Sequence, residues 1–163
     1  MADPNFFKDR TVRWEGGRVV LIDQRKLPNR FVKVRLSTAK DVADGIKQMV
    51  VRGAPAIGAA AAMGLALTAY HSKSLKRESL INELELSARL LEATRPTGRN
   101  LFWGIDRVLA KAKGTRGPVR KIRDAIVAEA ISIAEEDVLF NKKIGLFGAE
   151  MIEDGETILT HCK

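Results

Sequence analysis

The chain has 163 residues, 45% hydrophobic and 29% charged, with 28 lysines and arginines against 20 aspartates and glutamates, a net charge of +8. That is long enough for one buried core, yet no charge-free apolar run reaches membrane-spanning length, and the start, Met1-Ala2-Asp3-Pro4-Asn5, lacks the basic-then-apolar pattern of a secretory signal. One cysteine, Cys162, excludes an internal disulfide, and with only His71 and His161 to help it argues against a conventional Cys/His metal site, so a soluble cytoplasmic protein is expected.

Thr11 to Ile22 predicts a β-hairpin: Val12 and Trp14, a Gly16-Gly17 turn able to take positive φ, then Val19 to Ile22. A third strand is expected at Phe31 to Val34, after the Pro28-Asn29 break. The period then becomes helical. Thr38 with Asp41 reads as an N-cap, and Val42, Ile46, Met49 and Val50 share one face of a helix ending near Arg52. Further helices are expected from Pro55 to about Tyr70, from about Leu75 to Thr94 with Leu80, Leu84, Ala88 and Leu91 on one stripe until Pro96 stops it, and from about Asn100 to Lys113. A last helix opens at Pro118, carries Ile122, Ile126, Ala130 and Ile133 on one side, breaks near Asn141 to Gly145 and resumes to Ile152. After the Asp154-Gly155 turn, Glu156 to Cys162 reads as a strand, and with no nearby strand to pair with it belongs to a sheet the chain does not supply. The fold class is therefore α+β: a small antiparallel sheet and a helical bundle over residues 1–155, with 156–163 opening a second domain.

Three places can carry chemistry. In Val51-Arg52-Gly53-Ala54-Pro55, small residues ahead of a proline leave helix N-terminal N–H groups uncovered beside an arginine, which is suited to an anion, although Pro55 can equally serve only to start a closely packed helix. Arg95, before Pro96-Thr97, either complements a helix C-terminus or reaches the same anion. Cys162 sits at the carboxyl end of the last expected strand, where open α/β sheets gather reacting groups, but a lone cysteine also serves as core filler. The acidic run Glu135-Glu136-Asp137 reads as a mainly solvated face on which Asp137 and Asn141 can meet. Lys111, Lys113, Arg116, Arg120, Lys121 and Arg123 form a basic stretch, but no aromatic residue interleaves for base stacking, so nucleic acid is disfavoured as a partner.

Taken in order, Arg13-Trp14, Leu21 to Pro28, Val51 to Gly58, Arg95-Pro96-Thr97, Asn100 to Trp103, Glu136-Asp137 and Ile158 to Cys162 resemble the amino-terminal half of the methylthioribose-1-phosphate isomerase family. The resemblance implies an aldose–ketose isomerase of methionine salvage that turns 5-methylthioribose 1-phosphate into 5-methylthioribulose 1-phosphate without metal or organic cofactor. It implies substrate binding by Arg52, Gly53, Ala54 and Arg95 and a catalytic role for Cys162, with a proton-donating aspartate in a carboxyl-terminal Rossmann-like domain. Family members are roughly twice this long and continue after the cysteine with an asparagine and a Gly-rich loop, so an active enzyme is expected to need a complementing carboxyl-terminal half or a second copy. Gly98-Arg99 departs from the family's small-then-apolar pair. Two relatives of the same architecture compete: ribose-1,5-bisphosphate isomerase and the non-catalytic regulatory subunits of the translation-initiation exchange factor. Cys162 argues against the latter.

Overall fold

The computed structural model describes residues 9–159. Strands β1 (Val12–Glu15), β2 (Arg18–Ile22) and β3 (Lys33–Leu36) form an antiparallel sheet in that order. The hairpin turns at Gly16 and Gly17, with φ of 51° and 82°, and pairs Trp14 with Val19 and Val12 with Leu21. The third strand lies two residues later than the apolar run suggests. Val19 pairs with Leu36, a register that buries Leu36 and leaves Phe31 exposed before the strand begins.

Helix α1 (Ala39–Lys47) has the expected capping box: Thr38 Oγ1 accepts from the Asp41 N–H at 3.1 Å, and Asp41 Oδ2 accepts from the Thr38 N–H at 2.9 Å. Helix α2 (Ala54–His71) is apolar all round and forms the axis of the domain, touching β1, β2 and every other helix. Its alanines and glycines let neighbours approach from all sides. At its far end Tyr70 packs edge-on against Trp14 at 5.6 Å, and His71 Nε2 donates to the Gly17 carbonyl at 3.0 Å. A Cβ on Gly17 would enter the Tyr70 ring, so the hairpin turn is seated directly on α2.

Helix α3 (Arg77–Glu92) buries Leu80, Leu84, Ala88 and Leu91, the expected stripe. Helix α4 (Arg99–Gly114) buries Leu101, Ile105 and Val108, while Phe102 and Leu109 are only partly covered. Helix α5 (Val119–Ala149) runs unbroken through 141–145. Asn141 Nδ2 donates to the Asp137 carbonyl at 2.8 Å and to its Oδ1 at 3.1 Å, along the helix rather than against it, and an internal glycine costs a helix about 1 kcal/mol without ending it. The strand expected from Glu156 is not formed over 156–159, which is irregular and exposed: among the described residues no neighbouring strand satisfies its backbone groups. The remainder of that segment, with His161 and Cys162, lies outside the described residues. Among the described residues no helix is long and apolar enough to cross a membrane.

Candidate functional site

Two turns far apart in the chain meet beside the start of α2. The first joins α1 to α2. Helix α1 ends in a Schellman arrangement, with Val50 N–H donating to the Gly45 carbonyl at 2.9 Å and Met49 N–H to the Ile46 carbonyl at 3.1 Å. Met49 therefore leaves the helix and points outward, instead of joining the buried face its spacing suggested. Arg52 follows, then Gly53, which caps α2 at φ 88° and ψ 129°, a backbone region open essentially to glycine alone.

The neighbouring β2–β3 loop braces this turn. Gln24 N–H donates to the Val50 carbonyl at 3.0 Å, and Gln24 Nε2 reaches the Arg52 carbonyl at 3.4 Å. Next to Gln24 in the chain, Asp23 is buried and grips Arg25 through two side-chain bonds of 2.8 Å each and the Arg25 N–H at 3.1 Å. Hydrogen bonds from the Arg25 side chain hold the Asp23 carboxyl below the ordinary carboxylate range, so it stays an acceptor.

The second turn, Arg95-Pro96-Thr97-Gly98, links α3 to α4 and closes with Gly98 N–H donating to the Arg95 carbonyl at 2.9 Å. It reaches the first turn because α2 and α4 touch backbone to backbone. A Cβ on Gly58 would stand 2.6 Å from the Asn100 carbonyl oxygen, and one on Gly104 would stand 2.6 Å from the Gly58 carbonyl oxygen.

Between the turns lies a cleft of about 270 Å³, lined by Arg52, Gly53 and Ala54 on one side and Arg95, Thr97 and Gly98 on the other. The four binding residues expected from the sequence thus share one surface; Cys162 lies outside the described residues. No carboxylate lines the cleft, and neither Arg52 nor Arg95 has an ion-pair partner among the described residues. Helix N-terminal N–H groups lack intrahelical acceptors and carry the positive end of the dipole. Two unpaired guanidinium groups facing such a helix start make a cationic concavity that matches a phosphate or carboxylate.

A family profile described as the Initiation factor 2 subunit family matches residues 50–163, which includes both turns. The chain belongs to the Initiation factor 2 subunit family. Within that family it is 46% identical over 154 residues to a methylthioribose-1-phosphate isomerase of Trichlorobacter lovleyi, an alignment covering 94% of this chain and 44% of the relative. It is 44% identical over 156 residues to methylthioribose-1-phosphate isomerase 1 of Pseudothermotoga lettingae, covering 96% and 45%. Two solved structures are similar over 90% of this chain. One is 5-methylthioribose 1-phosphate isomerase from Pyrococcus horikoshii, with a TM-score of 0.85, 43% identity and 41% of that chain covered. The other is translation initiation factor eIF-2B subunit delta from A. fulgidus, with a TM-score of 0.83, 41% identity and 43% covered. The chain spans less than half the length of these family members.

One expectation about charge is corrected. Glu136, in the run read as a mainly solvated face, is only part-exposed and is held: Arg107 clamps it with bonds of 2.5 and 2.6 Å, and Ser132 Oγ donates to it at 2.8 Å. Hydrogen bonds from Arg107, then Ser132, draw its carboxyl down to about 2. Arg107 also bonds Glu129 at 2.6 Å, so the group is a brace between α4 and α5. Part of the basic stretch is also engaged. Lys111 pairs with Glu129 at 3.0 Å, Lys113 pairs with Glu85 at 2.8 Å, and Arg123 donates to the Ser74 carbonyl. The Asp23–Gln24 brace and the Arg107 clamp were missed because their partners are brought together by the fold. The only local signal was the Asp23-x-Arg25 spacing, which suits a side chain folding back on its own turn.

Proposed function

We propose that the chain is the phosphate-gripping half of an aldose–ketose isomerase that converts 5-methylthioribose 1-phosphate to 5-methylthioribulose 1-phosphate. The observation that carries this reading is the convergence of two unpaired arginines, Arg52 and Arg95, on the Gly53–Ala54 helix start. Phosphate on the anomeric oxygen blocks spontaneous opening of the sugar ring, so an enzyme must assist opening and then move hydrogen between C1 and C2. Anchoring the phosphate fixes C1 and C2 relative to groups brought from elsewhere. In this reading residues 1–155 hold the substrate, 156–163 open the Rossmann-like domain, and Cys162 faces C1–C2 and stabilises the hydrogen-transfer step.

The remaining groups, including the proton-donating aspartate, come from a carboxyl-terminal half like that implied by the greater length of the relatives. Its docking surface is the exposed end of α5, where Phe140, Ile144 and Phe147 continue the seam the bundle already buries. Calorimetric titration of the chain with methylthioribose 1-phosphate tests the grip. Arg52→Ala and Arg95→Ala are each expected to weaken binding about tenfold or more, as loss of a charge-assisted hydrogen-bonding group does; unchanged affinity in both sinks the reading. Mixing with a carboxyl-terminal half from a relative is expected to yield turnover that Cys162→Ala abolishes and Ile144→Asp impairs through assembly. The regulatory-subunit reading, favoured by the similarity to subunit delta, expects no turnover in that mixture.

A further inference from the structure

Met49 is the one non-glycine residue at positive φ among the described residues, at 58°. It occupies the left-handed position of the α1 Schellman motif, where glycine is the usual residue because a Cβ there is strained. Glycine would keep both closing hydrogen bonds, since they use only backbone atoms. The side chain does not repay the strain by packing: Ile46 and Val50 on either side are buried, while Met49 is 52% exposed. It lines the same cleft as Arg52 and Arg95, opposite in character to both. A strained backbone whose side chain faces a binding cleft, and which the fold does not require, points to a ligand contact.

We propose that Met49 is a specificity-determining residue: its flexible, polarisable thioether forms an apolar wall that packs against the uncharged, thioether-bearing end of a phosphate ester anchored at Arg52 and Arg95. This rests on the isomerase reading above and adds to it the residue that separates a methylthio sugar phosphate from one ending in a hydroxyl. The guanidinium groups recognise any phosphate, and Met49 supplies the discrimination.

The test compares the chain with Met49→Gly and Met49→Leu by thermal melting and by calorimetric titration with methylthioribose 1-phosphate, ribose 1-phosphate and inorganic phosphate. Met49→Gly is expected to melt about 2–4 °C higher, the shift that relief of roughly one strained residue produces in a domain of this size. It is also expected to bind methylthioribose 1-phosphate about tenfold more weakly, the scale of one lost apolar contact in a pocket, with ribose 1-phosphate and inorganic phosphate unaffected. Met49→Leu, close in volume and apolar, keeps the preference. If Met49→Gly melts lower, the side chain serves the fold and the proposal fails. If the unaltered chain does not prefer the methylthio sugar, or Met49→Gly keeps that preference, the proposal fails while the anion cleft stands. If the unaltered chain binds none of the three, the isomerase reading and this proposal fall together.

Discussion

Over its first four turns α5 presents Ile122, Ile126, Ala130 and Ile133, all buried, to a bundle centred on α2 and α4. Over its last turns Phe140, Ile144 and Phe147 continue the same three-and-four spacing, with Asp137 at the join, yet Ile144 is 68% and Phe147 62% exposed. One helix thus carries one seam with two outcomes. Periodicity reports which face can be buried; only a neighbouring surface decides whether it is. The seam continues past the edge of the bundle, and that is why the exposed half, rather than the basic stretch, is the docking surface proposed above.

The buried half is most sensitive at Ile126. Ile126→Ala is expected to cost about 2–4 kcal/mol in urea denaturation, as removal of a fully buried branched side chain does; a loss comparable to that of Ile144→Ala would mean that the two halves do not differ. Next in size is Gly58→Ala, which drives a Cβ to 2.6 Å from the Asn100 carbonyl oxygen and is expected to cost about 1–3 kcal/mol by forcing α2 and α4 apart. Because that contact sets the two turns side by side, phosphate binding should weaken along with the lower melting temperature.

At the junction of the halves, Glu136→Gln is expected to cost about 1 kcal/mol, discounted because the pair is part-exposed. The folded carboxyl titrates near 2, below its ordinary 4.5, so its contribution is complete above about pH 4.5 and is lost as the pH falls towards 2. Urea midpoints measured across that window should fall less steeply for the variant than for the parent. The smallest effect sharpens the contrast by reversing sign. Gly145→Ala, where a Cβ meets nothing within 4 Å, is expected to stabilise the exposed half by about 0.5–1 kcal/mol, seen as a higher melting temperature. A loss there would reveal a contact on the surface taken as free.

Much of the molecule was legible residue by residue because the signals act over a few positions. Gly16-Gly17 takes the positive φ of the hairpin turn, Thr38 and Asp41 satisfy each other's backbone, and Leu80 to Leu91 mark a buried face before Pro96 ends the run. Arg52 and Arg95 were recognisable as candidate cations for the same reason. Where the signal depended on distant partners, reading failed. The register of β3 follows burial of Leu36, and Glu136 is claimed by Arg107 from another helix; Met49 is a local exception, turned outward by two short-range backbone bonds that end α1 where no glycine marks the stop.

Local backbone geometry and side-chain chemistry were enough to place the hairpin, the cores of the five helices, the Thr38 cap and the charged and small residues available to a site. Only the tertiary structure decided that Gly58 and Gly104 let two helices touch, so that two arginines 43 positions apart face one cleft with a strained methionine at its wall. Those outcomes depend on which surfaces meet, and a surface has no fate until its neighbour is in place.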